Sequence, residues 1–285
     1  MNLENTKKTQ TILITGASSG IGKAAAEIFA AKGWNVCATM PEIASDESLK
    51  QIPNVLVARL DVRDETSIAE AVSQCKEKFG RIDTLLSNAG YGQYGVFEGI
   101  SKEKIQAQFD VNVFGAMNVL RAVLPEFRAN GGGQVLVTSS AGGIYGLPTT
   151  TLYITTKFAT EGFFESVSYE LATQNIVVKL IEPGGVDTNF HPTAARLSTG
   201  DGRIAGYTDV YERVAAAVNK IIDSHSLVSA GEVADAIYKA ATDGTNRLRY
   251  VVGKDAESII HARRQMPEQE FRDLIKSEFG LGNAV

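Results

Sequence analysis

The stretch Thr11-Ile12-Leu13-Ile14-Thr15-Gly16-Ala17-Ser18-Ser19-Gly20-Ile21-Gly22 decides the fold. Its first five residues are β-branched or apolar with no polar alternation, the pattern of a strand buried on both faces. The run stops at Gly16. Gly20 to Lys32 then reads as a helix that packs through Ala24, Ala25, Ala26, Ile28, Phe29 and Ala30. A nucleotide pyrophosphate needs close backbone approach and the amides of a helix N-terminus. Glycine permits the necessary turn and omits the Cβ that would stand in a phosphate's way. The spacing is G-x-x-x-G-x-G, not the G-x-G-x-x-G of the common dinucleotide fingerprint. A glycine-rich turn with no ligand stays open on this loop alone.

The same alternation continues down the chain. Strands are predicted over Trp34–Thr39, stopped by Pro41, and then over Val55–Leu60, Ile82–Ser87, Gln134–Ser139, Ile176–Ile181 and Arg249–Val252. Between them lie helices: Asp64–Phe79, with Ile68, Ala71, Val72 and Cys75 on one face, a long one within Ser101–Ala129 tightened or bent near Pro125, and Thr151–Gln174. Ser229 and Glu232 form a Ser-x-x-Glu capping box that opens another, and one charged helix is expected over Asp255–Ser277. Strand–helix alternation with apolar strands means an α/β fold, a parallel sheet covered on both faces. No linker and no internal repeat divides the chain, so one domain is expected over residues 1–285. Asp187–Ser226 breaks the alternation, with a short helix at Tyr211–Ile222, and follows the carboxyl end of the sixth strand. Ligands of open α/β sheets bind outside those ends, so this insertion is expected to cover a substrate as a lid.

Composition narrows the function class. With 285 residues, 44% hydrophobic and 21% charged, the chain is neither disordered nor collagen-like. It is long enough to bury roughly three-quarters of its unfolded surface without a disulfide or metal staple. A net charge of -5, from 28 basic and 33 acidic residues, argues against a nucleic-acid partner. Cys37 and Cys75, the only cysteines, make no disulfide framework and no zinc motif. Met1–Gln10 is polar and lacks a signal-peptide core, and no apolar run reaches the roughly 18 residues of a membrane span. A cytoplasmic protein with a small-molecule partner and a flexible start is expected.

Tyr153 and Lys157 stand four residues apart on one helix face. A phenol ordinarily titrates near pH 10, and a neighbouring ammonium favours the phenolate, which makes tyrosine usable as an acid or base. The pair alone is weak, since a surface tyrosine over a lysine stem gives the same spacing. Ser140, 13 residues earlier at the end of the fifth strand, can donate to a substrate oxygen. Asn112 lies in the preceding long helix.

Thr15–Gly22, Asn88-Ala89-Gly90, Asn112, Ser140, Tyr153-x-x-x-Lys157 and Pro183-Gly184-Gly185-Val186-Asp187-Thr188 together resemble the short-chain dehydrogenase/reductase family in its single-domain form. The likeness covers about residues 9 to 190 with motifs. It implies a Rossmann-type, doubly wound parallel sheet of seven strands that carries a nicotinamide dinucleotide. By that likeness Gly16, Ser18, Ser19, Gly20, Ile21 and Gly22 cradle the pyrophosphate, and Asp61 and Val62 meet the adenine. Asn88, Ala89 and Gly90 line the ribose side, while Pro183, Gly184, Val186 and Thr188 flank the carboxamide. Tyr153 exchanges the proton with a carbonyl or alcohol oxygen that Ser140 holds. Lys157 lowers the tyrosine pKa and bonds the nicotinamide ribose, and Asn112 holds a water that links Lys157 to solvent.

The residues depart from the pattern where cofactor choice is made. Ala38-Thr39-Met40-Pro41-Glu42 carries neither the acid that pairs with ribose hydroxyls nor the Arg that favours a 2′-phosphate. The cofactor is NAD(H) or NADP(H), with a lean to NAD(H), although Arg63 beside the adenine site could reverse it. Tyr91, Tyr94, Phe97, Ile144, Tyr145, Leu147 and Phe190 are the expected pocket wall, which suits a hydrophobic ketone or its secondary alcohol. A sugar-nucleotide epimerase or dehydratase and a non-catalytic NAD(P)-sensing protein on the same fold are the alternatives. Relatives assemble through their two long helices, so a homo-oligomer, a tetramer or dimer, is expected.

Overall fold

In this computed structural model the chain is described over residues 9–43, 48–198, 204–223 and 227–282. Residues 1–8 of the polar start, 199–203 and 224–226 of the insertion and 283–285 of the tail lie outside that description. Seven strands make one parallel sheet: β1 (Thr11–Thr15), β2 (Asn35–Met40), β3 (Val55–Arg59), β4 (Thr84–Ser87), β5 (Gly133–Thr138), β6 (Ile176–Pro183) and, later in the chain, β9 (Arg249–Val252). Their order is β3-β2-β1-β4-β5-β6-β9, and every pairing is parallel. The order reverses between β1 and β4, the kind of switch point where a crevice opens. Two short strands, β7 (Val186–Asp187) and β8 (Val228–Ser229), pair apart from the sheet and clamp the insertion at its base.

Side chains on successive strand residues point to opposite faces, and β1 shows the result. Leu13 joins Val123, Phe127 and Phe164 on one side of the sheet. Ile12 and Ile14 join Phe29, Val233 and Ile237 on the other. The first layer holds α2 (Glu65–Phe79), α4 (Ala116–Ala129) and α5 (Thr151–Ala172), preceded by α3 (Lys102–Phe109). The second holds α1 (Gly20–Ala31) and α8 (Ala230–Thr242). Phe29 is fully buried and meets Trp34 and Tyr238 edge-on, with centroids 5.0 and 5.2 Å away. Cys37 lies in the core, as its strand position implies. The remaining helices are α6 (Phe190–Ser198), α7 (Thr208–Asp223), α9 (Lys254–Gln265) and α10 (Glu268–Glu278). Asp64 caps α2 by accepting from Thr66 and Ser67 N–H, and the Ser229–Glu232 capping box is present.

Two helices differ from expectation. The long helix runs on through Pro125, which sits inside α4 without ending it. It widens instead into a π-turn over Asp110–Gly115, where Gly115 packs so tightly on Val62 that a Cβ would lie 2.8 Å from the valine Cβ. Such bulges shift the residues that follow onto a new face, and this one contains Asn112. The single C-terminal helix is two, because Pro267 has no N–H to continue α9 and holds Met266 extended, at ψ 147. No helix among the described residues is long and apolar enough to cross a membrane.

Candidate active site

A cavity of about 1200 Å³ opens outside the carboxyl ends of β1, β4, β5 and β6. Its floor is the glycine loop. Gly16 and Gly20 have φ of 69° and 55°, a left-handed backbone that side chains with a Cβ rarely adopt. Gly22 has an ordinary φ but no room: a Cβ there would meet the Gly16 carbonyl oxygen and lie 2.6 Å from Asn88 Nδ2. Asn88 fastens the loop from behind. Its Nδ2 donates to Thr15 O at 3.0 Å and Gly16 O at 3.1 Å, and its Oδ1 accepts from Thr138 Oγ1 at 3.0 Å. Thr15 Oγ1 accepts from the Asn88 and Ala89 N–H groups at 2.9 and 3.1 Å. Ser19 leaves the first turn of α1 without a side-chain cap, so its amides stay available beside three glycines that carry no Cβ. That cradle fits a dinucleotide's pyrophosphate.

At the adenine end Asp61, Val62 and Arg63 line the wall. Arg63 donates from Nε to Asp61 Oδ1 at 3.0 Å and from Nη2 to Oδ2 at 2.6 Å. The guanidinium holds the Asp61 carboxyl below the usual carboxylate range. Thr39 is fully buried, and its hydroxyl donates inward to Ile14 O at 2.9 Å.

At the other end α5 brings Tyr153 and Lys157 to the wall, facing Ser140. Burial pushes the Tyr153 phenol up to about 12, and the hydrogen bond with Ser140 works against it. Burial depresses Lys157 to about 8, opposed by Glu161. The Lys157 ammonium stands 5.7 Å from the Tyr153 ring centre but donates to Thr138 O at 2.8 Å. In this arrangement Ser140 is the direct hydrogen-bond partner that favours the phenolate. Ser140 Oγ also accepts from Gly142 N–H at 3.1 Å, which fixes the loop after β5. Asn112 lies behind the wall. Its Oδ1 accepts from Tyr91 N–H at 3.1 Å, and Nδ2 donates to Tyr91 O at 2.9 Å and Thr156 Oγ1 at 3.0 Å. The π-turn thereby ties the segment after β4 to α5 at Thr156, next to Lys157.

Most of the sequence-derived positions share this cavity: Gly16, Ser18, Ser19, Gly20, Ile21, Asn88, Ala89, Gly90, Pro183, Gly184, Val186 and Thr188 on the cofactor side, with Tyr91, Tyr94, Tyr145, Leu147 and Phe190 opposite. The Phe190 ring lies 5.3 Å from Tyr153's. Two expected wall residues lie elsewhere. Ile144 packs on Ala256 and Ile260, because the helical turn after Ser140 rotates it toward α9, and Phe97 is 60% exposed. Sequence reasoning missed Tyr211, Val214 and Val218 of α7 and Phe279 after α10. The apolar spacing of residues 211, 214, 215 and 218 carried that signal. The insertion is also anchored: Ser198 Oγ accepts from Tyr94 N–H at 2.9 Å, and Lys104 Nζ donates to Leu197 O at 2.7 Å.

Comparison with known proteins agrees with this geometry. The chain matches the short chain dehydrogenase family over residues 10–196. It is 33% identical over 243 residues to an uncharacterised oxidoreductase of Schizosaccharomyces pombe, covering 85% of this chain and 100% of the relative. It is 36% identical over 204 residues to a 3-ketodihydrosphingosine reductase of Bacteroides thetaiotaomicron, covering 72% of this chain and 74% of that one. A solved short-chain dehydrogenase from Streptomyces avermitilis superposes with a TM-score of 0.80 at 28% identity, over 97% of this chain and 99% of that one. A 3-ketoacyl-(acyl-carrier-protein) reductase from Brucella melitensis, complexed with NADH, superposes with a TM-score of 0.72 at 25% identity, over 86% and 96%. The chain is an NAD(P)-dependent oxidoreductase and belongs to the short-chain dehydrogenase family.

Proposed function

We propose that the protein interconverts a bulky apolar ketone and its secondary alcohol, with Tyr153 as the proton donor and acceptor. The observation that carries this reading is the meeting of Tyr153, Ser140 and Lys157 at one end of a cavity whose other end is the glycine cradle. When bound, the nicotinamide supplies or takes up the hydride. The protein's own work is orientation and proton transfer. Ser140 holds the substrate oxygen against the Tyr153 hydroxyl. Tyr153, raised to about 12 by burial, keeps its proton until carbonyl reduction creates an alkoxide that takes it. Lys157 supplies positive charge that eases loss of that proton, and Asn112 braces the segment behind it. Helices α6 and α7 act as the lid, with Phe190 and Tyr211 excluding water from the reacting atoms.

The wall of Tyr94, Tyr145, Leu147, Phe190 and Val214 favours an apolar or aromatic substrate over a sugar, and the relative named for 3-ketodihydrosphingosine reduction fits that class. We further propose NADH over NADPH, since the guanidinium that reaches the adenine end is already held by both oxygens of Asp61. Phe114, Phe158 and Tyr169, 47%, 45% and 71% exposed on the π-turn and α5, supply an apolar face for homo-oligomer assembly. The test follows absorbance at 340 nm with NADH and with NADPH against aryl, alkyl and sugar carbonyl compounds. Turnover of apolar ketones that disappears in Tyr153→Phe supports the reading. Turnover confined to sugars, or undiminished in Tyr153→Phe, overturns it. Binding of the dinucleotide with no turnover in either direction would favour the sensor.

A further inference from the structure

One helical turn along α5 from Lys157 lies a set of charges that proton transfer at Tyr153 does not explain. Glu161, one turn after Lys157, is 5% exposed, and Glu182 on β6 is fully enclosed. Arg249 of β9 joins them. Its Nε donates to Glu161 Oε2 at 3.0 Å and stands 3.1 Å from Glu182 Oε1, and its Nη2 donates to Glu165 Oε2 at 2.6 Å. Glu161 Oε1 and both Glu182 oxygens accept no hydrogen bond among the described residues. Gly143 makes room for the cluster: a Cβ there would lie 2.7 Å from Glu161 Cγ and 3.3 Å from Ser139 Oγ. The loop that carries Ser140 thus rests on the Glu161 side chain.

Burying a carboxylate with unpaired oxygens is costly, and folding alone is better served by an apolar residue of the same volume. One arginine cannot neutralise two enclosed carboxylates and Glu165 as well. The next cation along α5 is Lys157, whose ammonium donates among the described residues to the Thr138 carbonyl. We infer that Glu161 is a positioning residue for the proton-transfer pair: its carboxylate, fixed by Arg249, is the counter-charge that holds Lys157 as an ammonium beside Tyr153.

The surrounding groups divide the charge accordingly. Burial and the charge of Glu161 push Glu182 up to about 7, against Arg249, Arg264 and Arg247. Burial also raises Glu161, against Ser139, Arg249 and Lys157. Below about pH 7 Glu182 therefore holds the proton, and Glu161 has a cation on either side, Arg249 and Lys157. Lys157 faces Glu161, Tyr153, Ser140 and the Thr138 carbonyl. Removing one negative charge from this set makes proton loss easier, so the apparent pKa of the coupled Tyr153–Lys157 pair must fall.

The inference rests on the proposed role of Lys157, and its test is independent of turnover. The protein is labelled with ¹³C at the lysine ε-carbons and titrated by NMR, the Lys157 signal being the one absent from Lys157→Arg. In Glu161→Gln the Lys157 midpoint falls by roughly one pH unit. In Glu161→Asp, which keeps the charge and disturbs the packing more, it stays within about 0.3 unit, and in Glu165→Gln it does not move. A Glu161→Gln midpoint equal to wild type, or an equal shift in the Asp and Gln variants, overturns the inference. Undiminished turnover in Tyr153→Phe would sink the functional reading and leave this titration standing.

Discussion

Replacing Gly22 by alanine puts a methyl group where the glycine loop closes on itself. The added Cβ would collide with the Gly16 carbonyl oxygen, 2.6 Å from Asn88 Nδ2 and 2.9 Å from the Gly16 carbonyl carbon. None of these atoms is the free end of a flexible side chain: two are backbone, and the third is held by Thr15 O and Gly16 O. Relief must move the Gly16 peptide, and that breaks its bond from Asn88. Overpacking of this kind costs about 1–3 kcal/mol and the lost hydrogen bond about 0.5–1.5 kcal/mol. Alanine returns about 0.5–1 kcal/mol of helix propensity. The net is a destabilisation of about 2 kcal/mol, or a fall in Tm of about 4–8 °C. Gly231 supplies the matched control. It also lies in the first turn of a helix, α8, but the nearest atom to its Cβ would be Ser229 Oγ, at 3.7 Å. Gly231→Ala should therefore keep or raise Tm. Thermal scans of both variants and a fluorescence titration with NADH decide the matter. Gly22→Ala should weaken dinucleotide binding at least tenfold, about 1.4 kcal/mol, and Gly231→Ala should leave it unchanged. A Gly22→Ala protein with wild-type Tm and wild-type NADH affinity would refute the close-approach argument.

Tyr153→Phe should lower kcat by about 10²–10⁴-fold while dinucleotide affinity, measured by fluorescence, stays within about threefold of wild type. Asp243→Asn should cost about 3–5 kcal/mol by urea denaturation, because Lys179 is fully buried and its Nζ bonds Asp243 Oδ1 at 2.6 Å; a loss under about 1 kcal/mol would contradict that account. Glu182 is raised to about 7 by burial, above its ordinary value, so the folded state holds its proton more tightly than the unfolded one. Its contribution is present in full below about pH 4.5 and is lost as pH rises through 7, at most about 3 kcal/mol. Glu182→Gln should accordingly flatten the decline in Tm between pH 5 and 8, and an unchanged slope would remove Glu182 as its source. Phe158→Glu with Tyr169→Glu should lower the mass seen by light scattering at micromolar concentration; a wild-type mass would place the oligomer contact elsewhere.

What the sequence discloses is what the backbone itself must do. Thr11–Thr15 reads as a strand because both its faces are buried, and Gly16, Gly20 and Gly22 read as a cradle because each excludes a Cβ for a local reason. Pro267 likewise ends a helix by its own chemistry, although its force was underrated in expecting one helix over Asp255–Ser277. The π-turn has no such local mark, and the close approach at its end joins Gly115 to Val62, which lie far apart in the chain. The cofactor half of the cavity was therefore readable and the substrate half much less so.

That asymmetry has a physical origin. A pyrophosphate is bound by backbone amides, and backbone access is written in glycine positions, whereas an apolar substrate is bound by side chains whose direction depends on packing. Ile144 and Tyr145 are neighbours in sequence and both pack on the cluster of Ala256 and Ile260, yet of the two it is Tyr145 that also lines the cavity. Charge behaves in the same way. Nothing in the sequence around Glu161 marks it as buried, and it is β6 and β9 packed behind it that make that glutamate a buried counter-charge one turn from Lys157. The residues that set proton affinity at this site are thus legible only after the sheet is assembled, and mutations that spare the Tyr153–Lys157 motif can still move its pH dependence.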